Sequence, residues 1–340
     1  MSSNTNLPKT SGPHRSSGAP TEPLLDIRDL YVEYLTSRGP VGAVDGVSFS
    51  IARGEVFGLA GESGCGKSTI AHSILRVLRP PAVITGGEIL FKGRDVLEMD
   101  SDALQSFRWS EAAMVFQSAL NSLNPVMRIK DQIGDVLVKH KKMPWQEAYK
   151  IAAELLETVG IEHSRMDAYP HELSGGMRQR VVIAIALALH PPLLIMDEPT
   201  TALDVVVQKD ILQQIEQIKQ DMGFSILFIT HDLSLMVEFS NRIGIMYAGK
   251  LVELSAAKEF FSHPMHPYTQ GLLGSFPSLV GEKSKLIGIP GAPPDLAAPP
   301  PGCRFHPRCP LVMAQCRESV PALREVCPGH WVACYLDGGA

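Results

Sequence analysis

Residues Gly61–Ser68 read GESGCGKS, and how this stretch is read decides the fold. It matches G-x-x-x-x-G-K-[ST], and its surroundings suit the motif. The apolar run VFGLAG before it predicts a short strand, and STIAHSILRVL after it predicts a helix. Glycines at Gly61, Gly64 and Gly66 let backbone N–H groups converge on phosphate oxygens, and the following helix N-terminus favours negative charge. In this reading Ser63, Cys65 and Thr69 complete the cradle. Lys67 reaches the β- and γ-phosphates, and the Ser68 hydroxyl ligates Mg²⁺. Cys65 reads as a small filler, with possible reactivity from its neighbour Lys67.

Further along, LLIMDE (193–198) predicts a buried strand that delivers Asp197 and Glu198 at its carboxyl end. Asp197 can hold Mg²⁺ with its hydration shell, and Glu198 can polarise an attacking water as a general base. An Asp-Glu pair after a strand is common in solvated loops. It gains meaning from the phosphate loop upstream, and together they point to a Mg-nucleotide hydrolase. LSGGMRQR (173–180) puts a glycine pair before a long apolar helix, a second anion-binding N-terminus. That helix is expected to end at Pro191 and Pro192. SILFIT (225–230) and RIGIMYAG (242–249) read as further buried strands of a parallel sheet. From Leu24 the chain reads as an antiparallel β start with a turn at Gly39 and Pro40, GGEILFKGRDVL (86–97) as another strand pair around a turn, and Ser101 to Leu155 as mainly helical with a break near AMVFQ (113–117). KEFFSHPMHPYTQGLLGSF reads as helical.

Composition sets the frame. The chain has 340 residues, 45% apolar and 20% charged, with a formal net charge of −5. That suits one large and one small domain and does not suggest nucleic acid as a partner. No apolar run approaches a membrane span. The first 22 residues read as a disordered arm lacking a signal peptide, so the cytosol is the expected compartment. Five of the six cysteines, Cys303, Cys309, Cys316, Cys327 and Cys334, follow the Pro-rich linker IPGAPPDLAAPPPG. In a reducing compartment such a group points to metal before disulfides. The absence of C-x-x-C weakens a zinc site, and loose spacing suits an Fe–S cluster about equally.

Taken in order and spacing, these motifs resemble the ATP-binding subunits of ABC transporters, over about Leu24 to Tyr335. The resemblance implies a P-loop ABC-type α/β nucleotide-binding domain. Its parts are a parallel-sheet core, an antiparallel β subdomain, an α-helical signature subdomain and a small cysteine-rich C-terminal domain. The implied partition is an arm at 1–22, the ATPase at 23–262 and an extension at 263–340. It also implies that Gln117 is the glutamine contacting Mg²⁺ and sensing the membrane subunits. Ser174, Gly175 and Gly176 are then the signature that binds ATP held by the partner subunit. Asp204, closing ALD, belongs to the loop coupling the two sites, and His231 is the switch histidine near the γ-phosphate. Tyr34 is the expected adenine-stacking aromatic, with Tyr31 as rival. DEPTTALDVVVQ, HPMHPYTQGLLGSFP and the cysteine tail are similar to the D-type ATPase of oligopeptide/dipeptide importers. That branch implies a second ATPase in a heterodimer, two membrane permeases, an external substrate-binding protein and a peripheral place on the cytoplasmic face of the membrane. The same branch moves nickel chelates and oligosaccharides, and a non-transport ABC ATPase is the remaining alternative. It further implies a [4Fe–4S] cluster on Cys303, Cys309, Cys316 and Cys334, with zinc as the alternative metal. Cys327 stands where the family more often has a small residue, and it is the alternative fourth ligand.

Overall fold

The computed structural model describes residues 22–116, 122–199, 204–275 and 288–336. The expected disordered arm, Gln117, and the Ala202 and Leu203 of ALD lie outside the described residues, apart from Glu22. The chain opens with β1 (Leu25–Thr36), β2 (Gly39–Ile51) and β3 (Val56–Ala60), then α1 (Lys67–Ile74), β4 (Ala82–Phe91), β5 (Arg94–Asp95), α2 (Ser101–Ser110) and β6 (Ala112–Val115). Three helices follow, α3 (Ile129–Lys141), α4 (Trp145–Thr158) and α5 (Gly175–Leu187). Alternation then resumes with β7 (Leu193–Asp197), α6 (Val205–Met222), β8 (Ser225–Ile229), α7 (Leu233–Phe239), β9 (Arg242–Tyr247) and β10 (Lys250–Ala256). The last elements are α8 (Ala257–Ser262), α9 (Pro267–Gly274), α10 (Gln315–Glu318), β11 (Arg324–Cys327) and β12 (His330–Val332).

Two sheets result. β2-β1-β4-β5 is antiparallel, and β11-β12-β10-β9-β3-β8-β7-β6 is the main sheet. Within it β9, β3, β8, β7 and β6 run parallel, while β10 and β12 join antiparallel. The parallel strands are apolar without alternation because both faces are covered. Leu194, Met196, Ile226 and Phe228 face a core shared with α3, α4, α5 and α6. Leu193, Ile195, Leu227 and Ile229 face the opposite core, shared with α1 and the antiparallel sheet. Each such side chain contributes about 1.5–3 kcal/mol by leaving water. Phe49 of β2 stacks on Phe57 of β3 with centroids 4.7 Å apart, joining the two sheets.

Three expectations change in detail. The break near AMVFQ is β6, an edge strand in register with β7; four apolar residues are too few to show a period. KEFFSHPMHPYTQGLLGSF divides into α8 and α9 because Pro264 and Pro267 cannot continue a helix. The cysteine tail contributes strands to the main sheet: β12 pairs with β10, Leu254 opposite Trp331, and His330 Nε2 lies 2.7 Å from the buried Glu253 Oε1.

Candidate active site

β3 ends at Ala60, and the chain turns through Gly61 (φ 145°), Gly64 (φ 77°) and Gly66 (φ 107°) into α1. A Cβ at Gly66 would collide with the Ala43 carbonyl, and one at Gly61 with that of Met246. Here the motif's glycines answer close backbone approach as well as φ. Lys67 is buried and curls over the loop, donating to the carbonyls of Gly61 (2.8 Å) and Glu62 (3.1 Å). Its Nζ also lies 3.6 Å from Cys65 Sγ, whose thiol burial pushes up in pKa.

Asp197 ends β7 beside this loop and is 4% exposed. Burial raises its pKa, opposed by a hydrogen bond from Ser68 and by His72. Its Oδ1 is buried without a hydrogen-bond partner. An orphaned carboxylate oxygen beside Ser68 and Lys67 fits a Mg²⁺ site, since a hard cation takes oxygen ligands. Glu198 follows at φ 47°, its N–H donating to Ile229 O at 2.8 Å, and its Oε2 is 3.7 Å from His231 Nδ1. The predicted base and switch histidine therefore stand side by side. Tyr34 on β1 places its hydroxyl 3.3 Å from Thr69 Oγ1 in α1. Tyr31 instead lies against Gly46 and Gly86. The structure brings Tyr34, not Tyr31, to the phosphate loop.

The signature residues stand apart from that cluster. Ser174 caps α5 by accepting from Met177 N–H at 3.3 Å, and is exposed with Gly175 and Gly176 partly so. Among the described residues no hydrogen bond or ion pair joins Ser174 to the phosphate loop. Asp204 caps α6, accepting from Val207 N–H at 3.0 Å. A Cβ on Gly176 would lie 2.9 Å from Val207 Cγ1, so the signature and this loop are neighbours.

The cysteine tail surrounds a second cavity. Cys303, Cys309, Cys316 and Cys334 line one cavity with His266 and Phe305, and Cys327 lies outside it, exposed on β11. Burial pushes Cys303 up to about 11 and raises Cys309 and Cys334 as well. His266 Nδ1 accepts from Tyr268 N–H at 3.0 Å, which leaves the proton on Nε2, and Nε2 is buried with no partner. Among the described residues no three His, Cys, Asp or Glu side chains converge as one metal ion requires. A single zinc ion would hold four sulfurs about 3.8 Å apart, whereas a multi-iron cluster accepts thiolates spread around its larger body.

Sequence reasoning passed over Glu62, Tyr268 and Arg308. Arg308 makes a two-pronged ion pair with Glu62 inside the phosphate loop (2.8 and 3.0 Å), and Tyr268 OH accepts from Glu62 N–H at 2.9 Å. Glu62 occupies an x of the motif, and Arg308 lay hidden among the cysteines. Neither has a periodic signal.

The family described as ABC transporter matches residues 44–201, and that described as oligopeptide/dipeptide transporter, C-terminal region, matches 252–316. The dipeptide transport ATP-binding protein DppD of Bacillus subtilis is 44% identical over 319 residues, 93% of this chain and 95% of that protein. The oligopeptide transport ATP-binding protein OppD of Escherichia coli is 43% identical over 314 residues, 92% and 93% of the two chains. The dimeric, post-hydrolysis ATP-binding cassette MJ0796, solved with ADP and Pi, superposes with a TM-score of 0.62 at 28% identity. It covers 68% of this chain and 98% of that one.

Proposed function

The chain belongs to the ABC transporter family, among the ATP-binding proteins of peptide transport, and from that premise we propose how its residues divide the work. It is an ATPase that powers peptide import. ATP and water are its reactants, Mg²⁺ is the implied cofactor, and membrane permeases and a substrate-binding protein are its partners. The nickel, oligosaccharide and non-transport alternatives are not favoured. The observation that carries the catalytic reading is the meeting of Asp197 with Ser68 and Lys67 of the phosphate loop, with Glu198 next in the chain and 3.7 Å from His231.

In the proposed mechanism the backbone amides of Gly61–Ser68 and the Lys67 ammonium hold the β- and γ-phosphates. Lys67 exchanges its two loop carbonyls for phosphate oxygens. Ser68 and Asp197, with Gln117, would hold Mg²⁺, which would supply charge neutralisation for the transferred phosphoryl group. Glu198 accepts the proton of the attacking water. His231, beside it, orients the carboxylate and contacts the γ-phosphate. Tyr34 stacks on the base. Ser174, Gly175, Gly176 and Asp204 act on the nucleotide of a second, related ATPase in a heterodimer, a role supported by their exposure and their distance from this chain's own loop contacts. We assign residues 23–262 to the ATPase and 263–340 to the extension, with the arm at 1–22, and place the assembly at the cytoplasmic face of the membrane. No helix among the described residues is long and apolar enough to cross a membrane.

For the tail we propose a structural [4Fe–4S] cluster on Cys303, Cys309, Cys316 and Cys334. Support comes from the shared cavity and from the exclusion of Cys327 from it. Anaerobic purification with iron, sulfide and zinc analysis tests this. Iron and sulfide lost in Cys334→Ser and kept in Cys327→Ser are expected, and stoichiometric zinc without iron defeats the cluster. The transport role is tested by reconstitution with the permeases and binding protein. Peptides should stimulate ATP hydrolysis, and stimulation by nickel chelates or sugars alone would overturn the cargo.

A further inference from the structure

Glu62 is the second residue of the phosphate loop, and each of its polar groups is committed. Its carbonyl accepts from Lys67 Nζ (3.1 Å) and from Cys65 N–H (3.3 Å). Its N–H donates to Tyr268 OH (2.9 Å), and its carboxylate takes both Nη atoms of Arg308 (2.8 and 3.0 Å). Two of these anchors come from beyond residue 262. Arg308 is 9% exposed, and its own position is fixed by the tail. Nε donates to Pro290 O at 2.9 Å, and Nη1 also reaches Tyr247 OH at 3.2 Å. It closes a short 3₁₀ turn, His306–Arg308, that begins on the Cys303 carbonyl and ends at Cys309. Tyr268 belongs to α9, whose capping residue His266 lines the four-cysteine cavity. A short chain of contacts thus runs from the cysteines through Arg308 to Glu62 and on to Lys67.

We propose that Arg308, seconded by Tyr268, is a positioning residue for the phosphate loop, so that nucleotide affinity depends on the folded state of the four-cysteine segment. The inference rests on the nucleotide-site reading above and adds a control to it. Without Arg308 the Glu62 carboxylate stands uncompensated at the mouth of a site that binds a polyanion, and the loop loses its outer tether. A planar guanidinium fits both carboxylate oxygens at once, which an ammonium does not. Binding linkage is reciprocal, so nucleotide on the loop must in turn hold the cysteine segment closed.

The test uses the full chain and MgATP binding by equilibrium titration. Arg308→Met weakens binding by about tenfold or more, within the usual range of coupling between sites, and Arg308→Lys recovers only part. In a Glu62→Gln background the Arg308→Met penalty falls to within about twofold, because the pair is already broken. An equal penalty in both backgrounds, or wild-type affinity in Arg308→Met, overturns the proposal. A second readout covers the case in which Arg308→Met loosens the tail. MgATP slows backbone amide exchange over residues 303–309 in the wild-type chain, and Glu62→Gln removes that protection at saturating MgATP. Protection undiminished in Glu62→Gln overturns the coupling. If the wild-type chain binds no MgATP, as Lys67→Ala should not, the nucleotide-site reading fails and the coupling with it. Binding by wild type with unmoved variants defeats the coupling alone.

Discussion

Glu198 holds a left-handed backbone at φ 47°, a conformation that costs a non-glycine residue about 1–2 kcal/mol. Such strain persists where the surroundings fix it. Here its N–H is held by Ile229 O, and its carboxylate faces His231 at 3.7 Å. Glu198→Gln keeps shape and loses the proton acceptor. Its ATPase rate with transport partners should fall about 10²–10⁴-fold, with nucleotide affinity within about twofold of wild type. Retained turnover would remove Glu198 from the role of base. Tyr34 gives a sharper contrast with its neighbour on β1. Loss of a stacking ring costs about 1–3 kcal/mol, so Tyr34→Ala should weaken ATP binding about tenfold and Tyr31→Ala leave it near wild type. The reverse ranking would hand the adenine to Tyr31. At this scale the motif residues were legible in the sequence because phosphate and Mg²⁺ chemistry restricts residue type. The Tyr34–Thr69 contact was not, since it joins residues through the register of a different sheet. Glu62 and Arg308 were likewise invisible, because an ion pair across 246 positions leaves no local pattern.

The element most exposed to a change of pH is the strand pair β11–β12. β12 is held to β10 by few backbone pairings and by the contact of His330 Nε2 with Glu253 Oε1, 2.7 Å, both residues buried. Burial pushes the pKa of Glu253 up, but hydrogen bonds from His330 and from the N–H groups of Met265 and His266 outweigh it and leave it below its ordinary 4.5. A carboxylate with a lowered folded pKa contributes stability that is complete above the unfolded value. That contribution is lost as pH falls through the folded one. On acidification below 4.5 the tail strands should therefore loosen before the parallel core, visible as early amide exchange at 324–332. Glu253→Gln should flatten that acid dependence and destabilise the tail at neutral pH by about 2 kcal/mol, the scale of a charge-assisted hydrogen bond. Unchanged exchange in the variant would show that the pairing is held elsewhere. α5 and β7 were readable in the sequence as unbroken apolar runs with clear ends, the glycine pair and Pro191 for the helix and the Asp-Glu pair for the strand. β6, β11 and β12 were not, since strands of three or four residues depend on the neighbour they pair with.

At the scale of the whole molecule, no hydrogen bond or ion pair among the described residues joins the phosphate loop to Ser174, which suits the proposed two-chain site. Lys67, Asp197 and Glu198 gather at the carboxyl ends of β3 and β7, whereas Ser174 presents an exposed helix N-terminus with Asp204 beside it. Val205 and Val206, at the start of α6 next to Asp204, are 63% and 69% exposed. Apolar side chains left in water beside an anion-binding helix end suit a surface that closes on a partner only when nucleotide lies between. Two consequences separate this from a chain that works alone. With Glu198→Gln to stop turnover, MgATP should convert a mixture of this chain and the second ATPase into a 1:1 complex in sedimentation, and ADP should release it. Ser174→Glu should leave MgATP affinity at this chain's own phosphate loop within about twofold, because among the described residues no hydrogen bond or ion pair joins them. It should also abolish the complex, since a carboxylate would then face the partner's γ-phosphate across about 3–4 Å in a dehydrated site. If Ser174→Glu instead weakens MgATP binding in the isolated chain, the signature acts in cis and the sandwich arrangement is wrong. If the complex forms equally well with ADP, closure is not driven by the γ-phosphate, and the coupling of hydrolysis to transport needs another switch.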